Sequence, residues 1–299
     1  MTTQSNTQSE PWTILRLLQW TTEHLKKHGS TSPRLDAEVL LAHARGCQRI
    51  ALYTAFDEEP DETVRAKFRD LIKRRATGEP VAYLVGKKEF YSLEFLVSNE
   101  CLIPRAETEH LVIECLDRAK KQLAADASKP INIVDVCTGS GCVAVSLAKH
   151  LPQSVVTAID LSPTAIAMAN SNVERHHLNE RISVLQSDLL TAIEDSRFDF
   201  VVSNPPYVSE SEFNALDKSV REYEPRMALV SGPTGTEIIE RLIEQSIHKM
   251  VDRGWFLCEL SPMIADRVEQ LLKASSRWSN IAIVKDLAGL KRIAVAQKI

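Results

Sequence analysis

The sequence predicts an α/β protein built on a doubly wound, mostly parallel sheet that ends in an antiparallel C-terminal hairpin. We expect a small all-α domain before this sheet, joined to it by a β-hairpin. Three observations predict this fold. Apolar residues recur at helical spacing in the first quarter of the chain, runs of β-forming residues follow, and strands alternate with helices from Ile131 onward.

Length and composition indicate a globular protein. The chain has 299 residues, 44% of them hydrophobic and 25% charged, with a formal net charge of -4. This balance argues against non-specific nucleic-acid binding, which favours a strongly basic face. No apolar run approaches the length of a membrane span, and residues 1–10 are polar without the apolar core of a signal peptide. We therefore expect a cytoplasmic protein with no membrane partner.

The cysteines and histidines predict no metal site and no disulfide. No two cysteines have Cys-x-x-Cys spacing and several lie in apolar surroundings, so we interpret them as small buried hydrophobes. His24 and His28 are four residues apart, but Lys26 and Lys27 lie between them, which indicates a solvated helix face. The six cysteines are Cys47, Cys101, Cys115, Cys137, Cys142 and Cys258.

The N-terminal quarter predicts helices. Residues 1–10 should be disordered. Helices are expected from Trp12 to His28, from the Ser32-Pro33 cap to the residue before Gly46, and from Asp61 to Thr77. Together they define a helical domain over residues 11–78. It carries no catalytic constellation, so we assign it to substrate recognition, with structural support as the alternative.

Residues 79–104 predict a β-hairpin linker. Pro80–Gly86 and Glu89–Val97 are rich in β-forming residues, and Gly-Lys-Lys lies between them. An isolated hairpin is marginally stable, so this one should pack against a neighbouring domain. A helix from Glu107 to Ala125 follows, and the main domain is expected over residues 105–299.

The main domain alternates strands and helices, which predicts parallel pairing with helices on both faces. Two final strands with Gly289 in the turn between them predict an antiparallel edge. The expected strands span residues 131–136, 155–159, 182–185, 198–202, 255–260, 281–284 and 292–296.

Small and acidic residues follow three successive strands. Cys137, Thr138, Gly139, Ser140 and Gly141 form a turn that opens a helix, where backbone N–H groups can approach a ligand. The second strand ends with Asp160, which can accept both hydroxyls of a ribose. Asp188 follows the third strand and is placed to meet an adenine amino group. There is no full three-glycine fingerprint and no Walker-type Gly-Lys-Ser/Thr. The pattern therefore favours an adenosine-type cofactor over a dinucleotide or a nucleotide triphosphate.

The stretch Asn204-Pro205-Pro206-Tyr207 follows a buried apolar strand. The two prolines interrupt the strand ladder and stiffen the loop. The Asn204 side chain offers one acceptor and two donors to a planar amide or amino group, and Tyr207 can wall in a flat substrate group. The loop is therefore our candidate catalytic element, the alternative being a proline-rich surface turn.

Taken together, these motifs resemble those of the class I S-adenosylmethionine-dependent methyltransferases. Asn-Pro-Pro-Tyr is typical of members that methylate a nitrogen conjugated to a planar system. Five further stretches look like the HemK/PrmC family of protein-(glutamine-N5) methyltransferases, and the resemblance covers essentially the whole chain after residue 10. These stretches are residues 78–84, 89–95, 102–105, 224–229 and 285–292.

The resemblance implies methylation of the glutamine in the Gly-Gly-Gln motif of class 1 peptide-chain release factors. S-adenosyl-L-methionine would be the cofactor and S-adenosyl-L-homocysteine the product. It also implies a monomer that requires no nucleic acid directly. Asn204, Pro205 and Tyr207 would be catalytic, and Pro206 would join them in binding the substrate. The implied cofactor-binding residues are Cys137, Thr138, Gly139, Ser140, Gly141, Asp160, Asp188, Leu189 and Asn204.

The chain departs from the family pattern in places, and two other functions stay open. Cys137 stands where glycine is common, Ala106 replaces a proline, and Leu189 occupies a position that is aromatic in some relatives. The first alternative is an N-methyltransferase that acts on an adenine or guanine amino group of DNA or RNA, for which a basic groove is expected. The second is a non-catalytic adapter that keeps only the cofactor fold.

Overall fold

The computed structural model describes residues 11–126, 128–194 and 197–299, and these form two compact units that divide between Gly86 and Lys87. The disorder predicted for residues 1–10 lies outside the described residues. Within the described ranges, no helix combines the length and apolar character that crossing a membrane requires.

The first unit is helical. It contains α1 (Ile14–Lys27), α2 (Pro33–Arg45), a 3₁₀ turn (Arg49–Leu52), α3 (Glu62–Ala76) and α4 (Val81–Val85). The first and third helices begin at side-chain caps, because Thr13 accepts from the Arg16 N–H and Asp61 from the Val64 N–H. Apolar residues of all four helices pack into one core, which includes Ile14, Leu18, Leu40, Leu41, Phe68 and Leu84.

The first strand of the predicted hairpin was wrong, because the helix α4 occupies its place. Residues Pro80–Gly86 were expected to form its first strand, but Val81–Val85 is a helix that begins after Pro80 and ends at Gly86, whose φ is 73°. Leu84 is buried in the helical core, and this packing decides the structure against the strand preference of the valines. The hairpin itself exists further along the chain, as β1 (Lys87–Phe90) and β2 (Leu93–Leu96).

The hairpin is anchored within the second unit by side-chain hydrogen bonds. The Tyr91 N–H in its turn donates to the Glu109 carboxylate at 2.9 Å. The side chain of Asn172, which is fully buried, accepts from the Leu96 N–H at 2.8 Å and donates to the carbonyls of Leu96 and Ser140. The hairpin thereby supports the Cys137–Gly141 turn that the sequence analysis singled out.

The remaining elements of the second unit follow in the predicted alternation. After a 3₁₀ turn (Ala106–Thr108), the helices are α5 (Glu109–Ala125), α6 (Cys142–His150), α7 (Pro163–Arg175), α8 (Glu210–Phe213), α9 (Lys218–Tyr223), α10 (Glu237–Lys249) and α11 (Ala265–Ala274). The strands are β3 (Ile131–Val136), β4 (Ser154–Asp160), β5 (Ile182–Gln186), β6 (Phe198–Ser203), β7 (Val208–Ser209), β8 (Val230–Gly232), β9 (Met250–Glu259), β10 (Trp278–Lys285) and β11 (Lys291–Lys298).

Among the described residues, seven strands form the main sheet in the order β10-β11-β9-β6-β3-β4-β5. The pairs from β9 to β5 are parallel, whereas β11 is antiparallel to both β9 and β10. The predicted doubly wound sheet with an antiparallel C-terminal hairpin is confirmed.

Alternate residues of each central strand enter two different cores. Ile133 of β3 and Phe200 of β6 pack with α5, α6 and α7, whereas Val134 and Val201 pack on the opposite face with α10 and α11. Strands that are buried on both faces have continuous apolar sequences. The only sites where such a sheet can present polar groups to a ligand are the loops at the ends of its strands.

Candidate active site

Strand register aligns the predicted site residues at one edge of the sheet. Cys258, Ser203, Val136, Ile159 and Leu185 lie in one row, as paired residues of β9, β6, β3, β4 and β5. The residues that follow them form the next row at the carboxyl ends of the strands. This row runs Glu259, Asn204, Cys137, Asp160 and Gln186.

A buried carboxylate shapes the turn after β3. Asp135 accepts hydrogen bonds from the Thr138 hydroxyl at 2.6 Å and from the Ala144 N–H at 3.0 Å. Burial raises the pKa of Asp135 to about 7. Gly141 has φ 79°, and a β-carbon there would lie 3.3 Å from the Ala169 side chain. The turn therefore has a fixed shape, and its backbone passes close to α7.

Asp160 stands at the end of β4 and contacts the same turn. One carboxylate oxygen accepts from the Gly139 N–H at 2.8 Å, and the other from the Ser162 N–H at 2.9 Å. Burial raises the pKa of Asp160 above its ordinary value, although these backbone donors act in the opposite direction. A carboxylate has about four acceptor positions, so Asp160 keeps capacity for further donors.

Asp188 and Leu189 follow β5. The Asp188 carboxylate forms an ion pair with Arg241, with 2.6 Å between oxygen and nitrogen, and remains half exposed. Leu189 is buried and has φ 52°, in the left-handed region. Its side chain packs with the core between the sheet and α10.

A cavity of about 190 Å³ joins these residues. Residues 137–140, Asp160, Asp188, Leu189, Asn204 and Pro206 line it. The predicted residues Gly141, Pro205 and Tyr207 lie beside the cavity but do not line it. The Ser140 Oγ is buried and has no nitrogen or oxygen partner among the described residues.

Asn204 has a defined amide orientation. Its Nδ2 donates to the Thr108 Oγ1 at 3.0 Å. No described residue donates to its Oδ1 or to the Pro205 carbonyl oxygen, so both remain free as acceptors. The Ser203 hydroxyl donates to the Val136 carbonyl at 2.7 Å and holds the start of the loop against β3.

Tyr207 is held by a buried acid. Its hydroxyl donates to Glu259 Oε1 at 3.2 Å, and its ring packs against the core. Burial raises the pKa of the Tyr207 hydroxyl well above its ordinary value, so this group stays a protonated donor. Glu259 is the last residue of β9 and is 1% exposed.

The loop after Tyr207 is held by a close backbone contact. Gly235 has φ 83°, and a β-carbon built there would lie 2.7 Å from the Tyr207 carbonyl oxygen. We expect Gly235→Ala to lower the free energy of unfolding by about 2–5 kcal/mol, the sum of a left-handed alanine and an overpacked contact. It should also lower kcat, because relief of the clash displaces Tyr207.

The matched control is Gly289→Ala. Gly289 has nearly the same φ, 79°, but a β-carbon there would meet nothing within 4 Å. Gly289→Ala should lower the free energy of unfolding by only about 1–2 kcal/mol, because it introduces backbone strain without a close contact. Urea unfolding of both variants measures the difference. Equal losses of stability would contradict the close contact at Gly235.

Another buried acid, Glu224, joins two loops that line the cavity. Glu224 is almost fully buried, and it accepts from Arg105 at 2.5 Å and from the Ile103 N–H at 3.2 Å. Pro104 and Arg105 on one loop, and Pro225 and Met227 on the other, line the cavity. Sequence stretches that are more than 100 residues apart are therefore joined by one carboxylate.

Three residues of this site were not singled out from the sequence as site residues: Thr108, Glu224 and Glu259. Glu259 could have been found, because it is an acid at the carboxyl end of a buried apolar strand, which is the signal that selected Asp160. Thr108 and Glu224 belong to loops with no such signal. The described residues contain no group of three or more His, Cys, Asp or Glu side chains arranged to hold a metal ion.

The fold is shared with solved methyltransferase structures. The hMettl16 catalytic domain, solved with a MAT2A 3′UTR hairpin, matches with a TM-score of 0.55 and 16% sequence identity, over 82% of this chain and 84% of that one. A family model described as the methyltransferase small domain matches residues 110–223. The fold and the row of polar residues at its carboxyl edge define a class I methyltransferase.

Sequence relatives identify the family to which the chain belongs within this class. A model described as the PrmC N-terminal domain matches residues 16–86. A release factor glutamine methyltransferase from Rhodopirellula baltica is 53% identical over 96% of this chain and 97% of its own length. One from Koribacter versatilis is 41% identical over 92% and 95%. The chain belongs to the release factor glutamine methyltransferase family, which is the HemK/PrmC family that its motifs indicated.

Proposed function

We propose that this protein transfers a methyl group from S-adenosyl-L-methionine to the side-chain amide nitrogen, N5, of the glutamine in the Gly-Gly-Gln motif of class 1 release factors. The names of the relatives that match nearly the full chain support this substrate. The observation that carries it at the site is the Asn204 amide, whose oxygen is a free acceptor on the cavity.

The cavity residues fit the cofactor. Asp160 has acceptor capacity for the hydroxyls of a ribose, and the Ser140 hydroxyl is buried without a nitrogen or oxygen partner, as expected of a group that a ligand satisfies. The half-exposed Asp188 can accept from an adenine amino group with the carboxylate oxygen that Arg241 leaves free. When bound, S-adenosylmethionine supplies a sulfonium-activated methyl group.

The free acceptors of the loop suit a carboxamide. A primary amide nitrogen is a poor nucleophile, because its lone pair is delocalised into the carbonyl group. Asn204 Oδ1 and the Pro205 carbonyl oxygen can accept its two N–H bonds and so fix the direction of the lone pair. Because Tyr207 stays protonated, the loop offers no general base, and we assign most of the rate gain to orientation, which can contribute roughly 7–11 kcal/mol.

We also propose a role for the helical unit and a location for the protein in the cell. We assign the first unit to recognition of the release factor, on the support of the PrmC N-terminal model that covers it. Because release factors act in translation, we also place the protein in the cytoplasm. Methylation of an adenine or guanine amino group remains the second candidate, since Asn204 could accept from such a group, but the sequence relatives favour glutamine.

A methyl-transfer assay tests this function. Purified protein is incubated with tritium-labelled S-adenosylmethionine and, in parallel, with an unmethylated class 1 release factor, the same factor with its Gly-Gly-Gln glutamine changed to glutamate, and total nucleic acid. We expect label only in the first reaction, mapped by mass spectrometry to the glutamine. Label in nucleic acid alone would support the second candidate, and no label in any reaction would support the adapter.

A further inference from the structure

We propose that Arg105 binds the carboxylate of the cofactor's methionine group and that Glu224 is the residue that positions it. The residues assigned to the cofactor so far meet its adenine, its ribose and its methyl group, and they include no cation for this carboxylate. The inference rests on the proposed function, because it concerns the cofactor of that reaction.

Among the described residues that line the cavity, Arg105 alone has a basic side chain. The acidic side chains among them belong to Glu100, Asp135, Asp160 and Asp188. S-adenosylmethionine carries a sulfonium, an ammonium and a carboxylate group. The acids suit the two cations, whereas a carboxylate binds most strongly to a charged donor. Arg105 is therefore the side chain of this lining that matches the carboxylate.

Arg105 keeps donors that a ligand can use. An arginine has five N–H donors, and its planar fork can hold a carboxylate through two parallel hydrogen bonds. Within the described part of the chain, the hydrogen bonds of Arg105 use only Nη2, which donates to Glu224 at 2.5 Å. The Arg105 side chain is 31% exposed and lines the cavity. The pairing with Glu224 thus leaves most of its N–H groups for another acceptor.

Glu224 fixes the guanidinium from the buried side. Its side chain is 1% exposed, and its two oxygens accept from Arg105 and from the Ile103 N–H at 3.2 Å. Both neighbours of Pro104 are therefore held by one carboxylate. A buried ion pair adds little net stability relative to apolar packing, so stability alone is a weak reason for this pair. Fixing a ligand-binding side chain is a better one, because a preordered group loses less entropy when the ligand binds.

The position of Arg105 matches the amino-acid end of the cofactor. Thr108, three residues further on, accepts from the Asn204 amide at 3.0 Å, so this segment lies at the Asn204 end of the cavity. Asp160, which we propose for the ribose, is two strands away. In S-adenosylmethionine the sulfur lies between the ribose and the methionine carboxylate. A cofactor with its ribose at Asp160 therefore directs its carboxylate toward Arg105, at the end where the methyl group meets Asn204.

The amide of the substrate is a poorer partner for Arg105. A charged donor on the carbonyl oxygen of that amide would draw the nitrogen lone pair further into the carbonyl group. The nitrogen would then be a weaker nucleophile, which opposes methyl transfer. The carboxylate of the cofactor has no such conflict, because it takes no part in the reaction.

Two ligands that differ only in the carboxylate test this role. They are S-adenosylmethionine and decarboxylated S-adenosylmethionine, and calorimetry with the purified protein gives both dissociation constants without turnover. The wild type should bind S-adenosylmethionine about 10- to 100-fold more tightly, the effect of a hydrogen bond between charged groups. In Arg105→Gln this preference should fall below about 3-fold, with little change in affinity for the decarboxylated ligand.

Arg105→Lys and Arg175→Gln are the controls. Lysine keeps the charge but lacks the planar fork, so Arg105→Lys should retain only part of the preference. Arg175 also forms an ion pair, with Glu94, but it is not among the described residues that line the cavity. Arg175→Gln should therefore keep the full preference for the carboxylate.

Glu224→Gln tests the positioning role. It should lower the preference for the carboxylate by a smaller factor than Arg105→Gln does, because the guanidinium remains but loses its fixed orientation. Adding Glu224→Gln to Arg105→Gln should cause no further loss of preference, because Glu224 acts through Arg105. An unchanged preference in the single variant Glu224→Gln would overturn its positioning role.

The other outcomes distinguish this inference from the proposed function. An unchanged preference in Arg105→Gln, or an equal loss of affinity for both ligands, would overturn the role of Arg105. If Arg105→Gln fails to fold, Arg105→Lys decides, since a full preference in that variant would contradict the contact with the planar fork. A wild type that prefers the carboxylate but methylates no glutamine would contradict the proposed substrate and still support the assignment of Arg105.

Discussion

Replacing Asn204 with alanine is expected to lower kcat by about 10³-fold, the upper part of the range for loss of one preorganised polar contact to a reacting group. The amide oxygen is the side-chain acceptor on the cavity that the proposed reaction requires. Cofactor affinity should change little, because no part of the Cys137–Gly141 turn or of Asp160 bonds to Asn204. Turnover is measured under saturating cofactor and substrate, and cofactor binding by calorimetry.

The matched control is Asn214→Ala. Asn214 is exposed and caps the C-terminal end of α8, and its side chain makes no hydrogen bond within the described ranges. The control should keep full turnover. A fully active Asn204→Ala would remove Asn204 from the mechanism, and an equal loss in both variants would indicate general damage instead.

Asp160→Ala is expected to weaken cofactor binding about 100-fold, the loss of two hydrogen bonds to a charged group. At saturating cofactor, kcat should recover most of its wild-type value, because Asp160 lies two strands away from Asn204. Calorimetry gives the dissociation constant, and a rate measurement at high cofactor concentration gives kcat. An unchanged dissociation constant with lost turnover would show that the ribose lies elsewhere.

Asp199→Ala is the control that separates a loss of cofactor binding from a loss of stability. Like Asp160, Asp199 lies on a parallel strand and accepts two hydrogen bonds, from the Asn132 N–H at 2.9 Å and from Gln122 at 2.9 Å. It stands near the start of β6, at the opposite edge of the sheet. Both variants should lose stability by a similar amount, but only Asp160→Ala should lose cofactor affinity.

The sheet was predictable because its central strands are buried on both faces. Mostly apolar runs such as Phe198–Val202, each followed by a turn or an acid, identify strands and also the edge at which a ligand is expected to bind. The positions of Asp160 and Asn204 at one edge follow from the parallel pairing alone, so their closeness in the fold could be predicted before the structure.

The errors arose where long-range packing decides. Val81, Tyr83 and Val85 favour a strand by local preference, but Pro80, Gly86 and the burial of Leu84 in the helical core select a helix. Two hydrogen bonds join residues that are about 100 positions apart in the sequence. One connects Arg105 with Glu224, and the other connects Asn204 with Thr108. No local pattern encodes such pairs, and a single sequence does not show which loops will meet.

The register of the parallel strands fixes the distance between Asn204 and Asp160. Neighbouring strands lie about 4.8 Å apart, so Asn204, directly after β6, and Asp160 at the end of β4, two strands away, are held about 10 Å apart by the backbone hydrogen bonds of the strands. Side-chain changes in the core can alter stability without changing this spacing. A one-residue insertion within β3, in contrast, would change its pairing with β4 and β6 and so displace Asn204 relative to Asp160. The separation between the groups proposed to hold the methyl acceptor and the ribose is thus a property of the main chain.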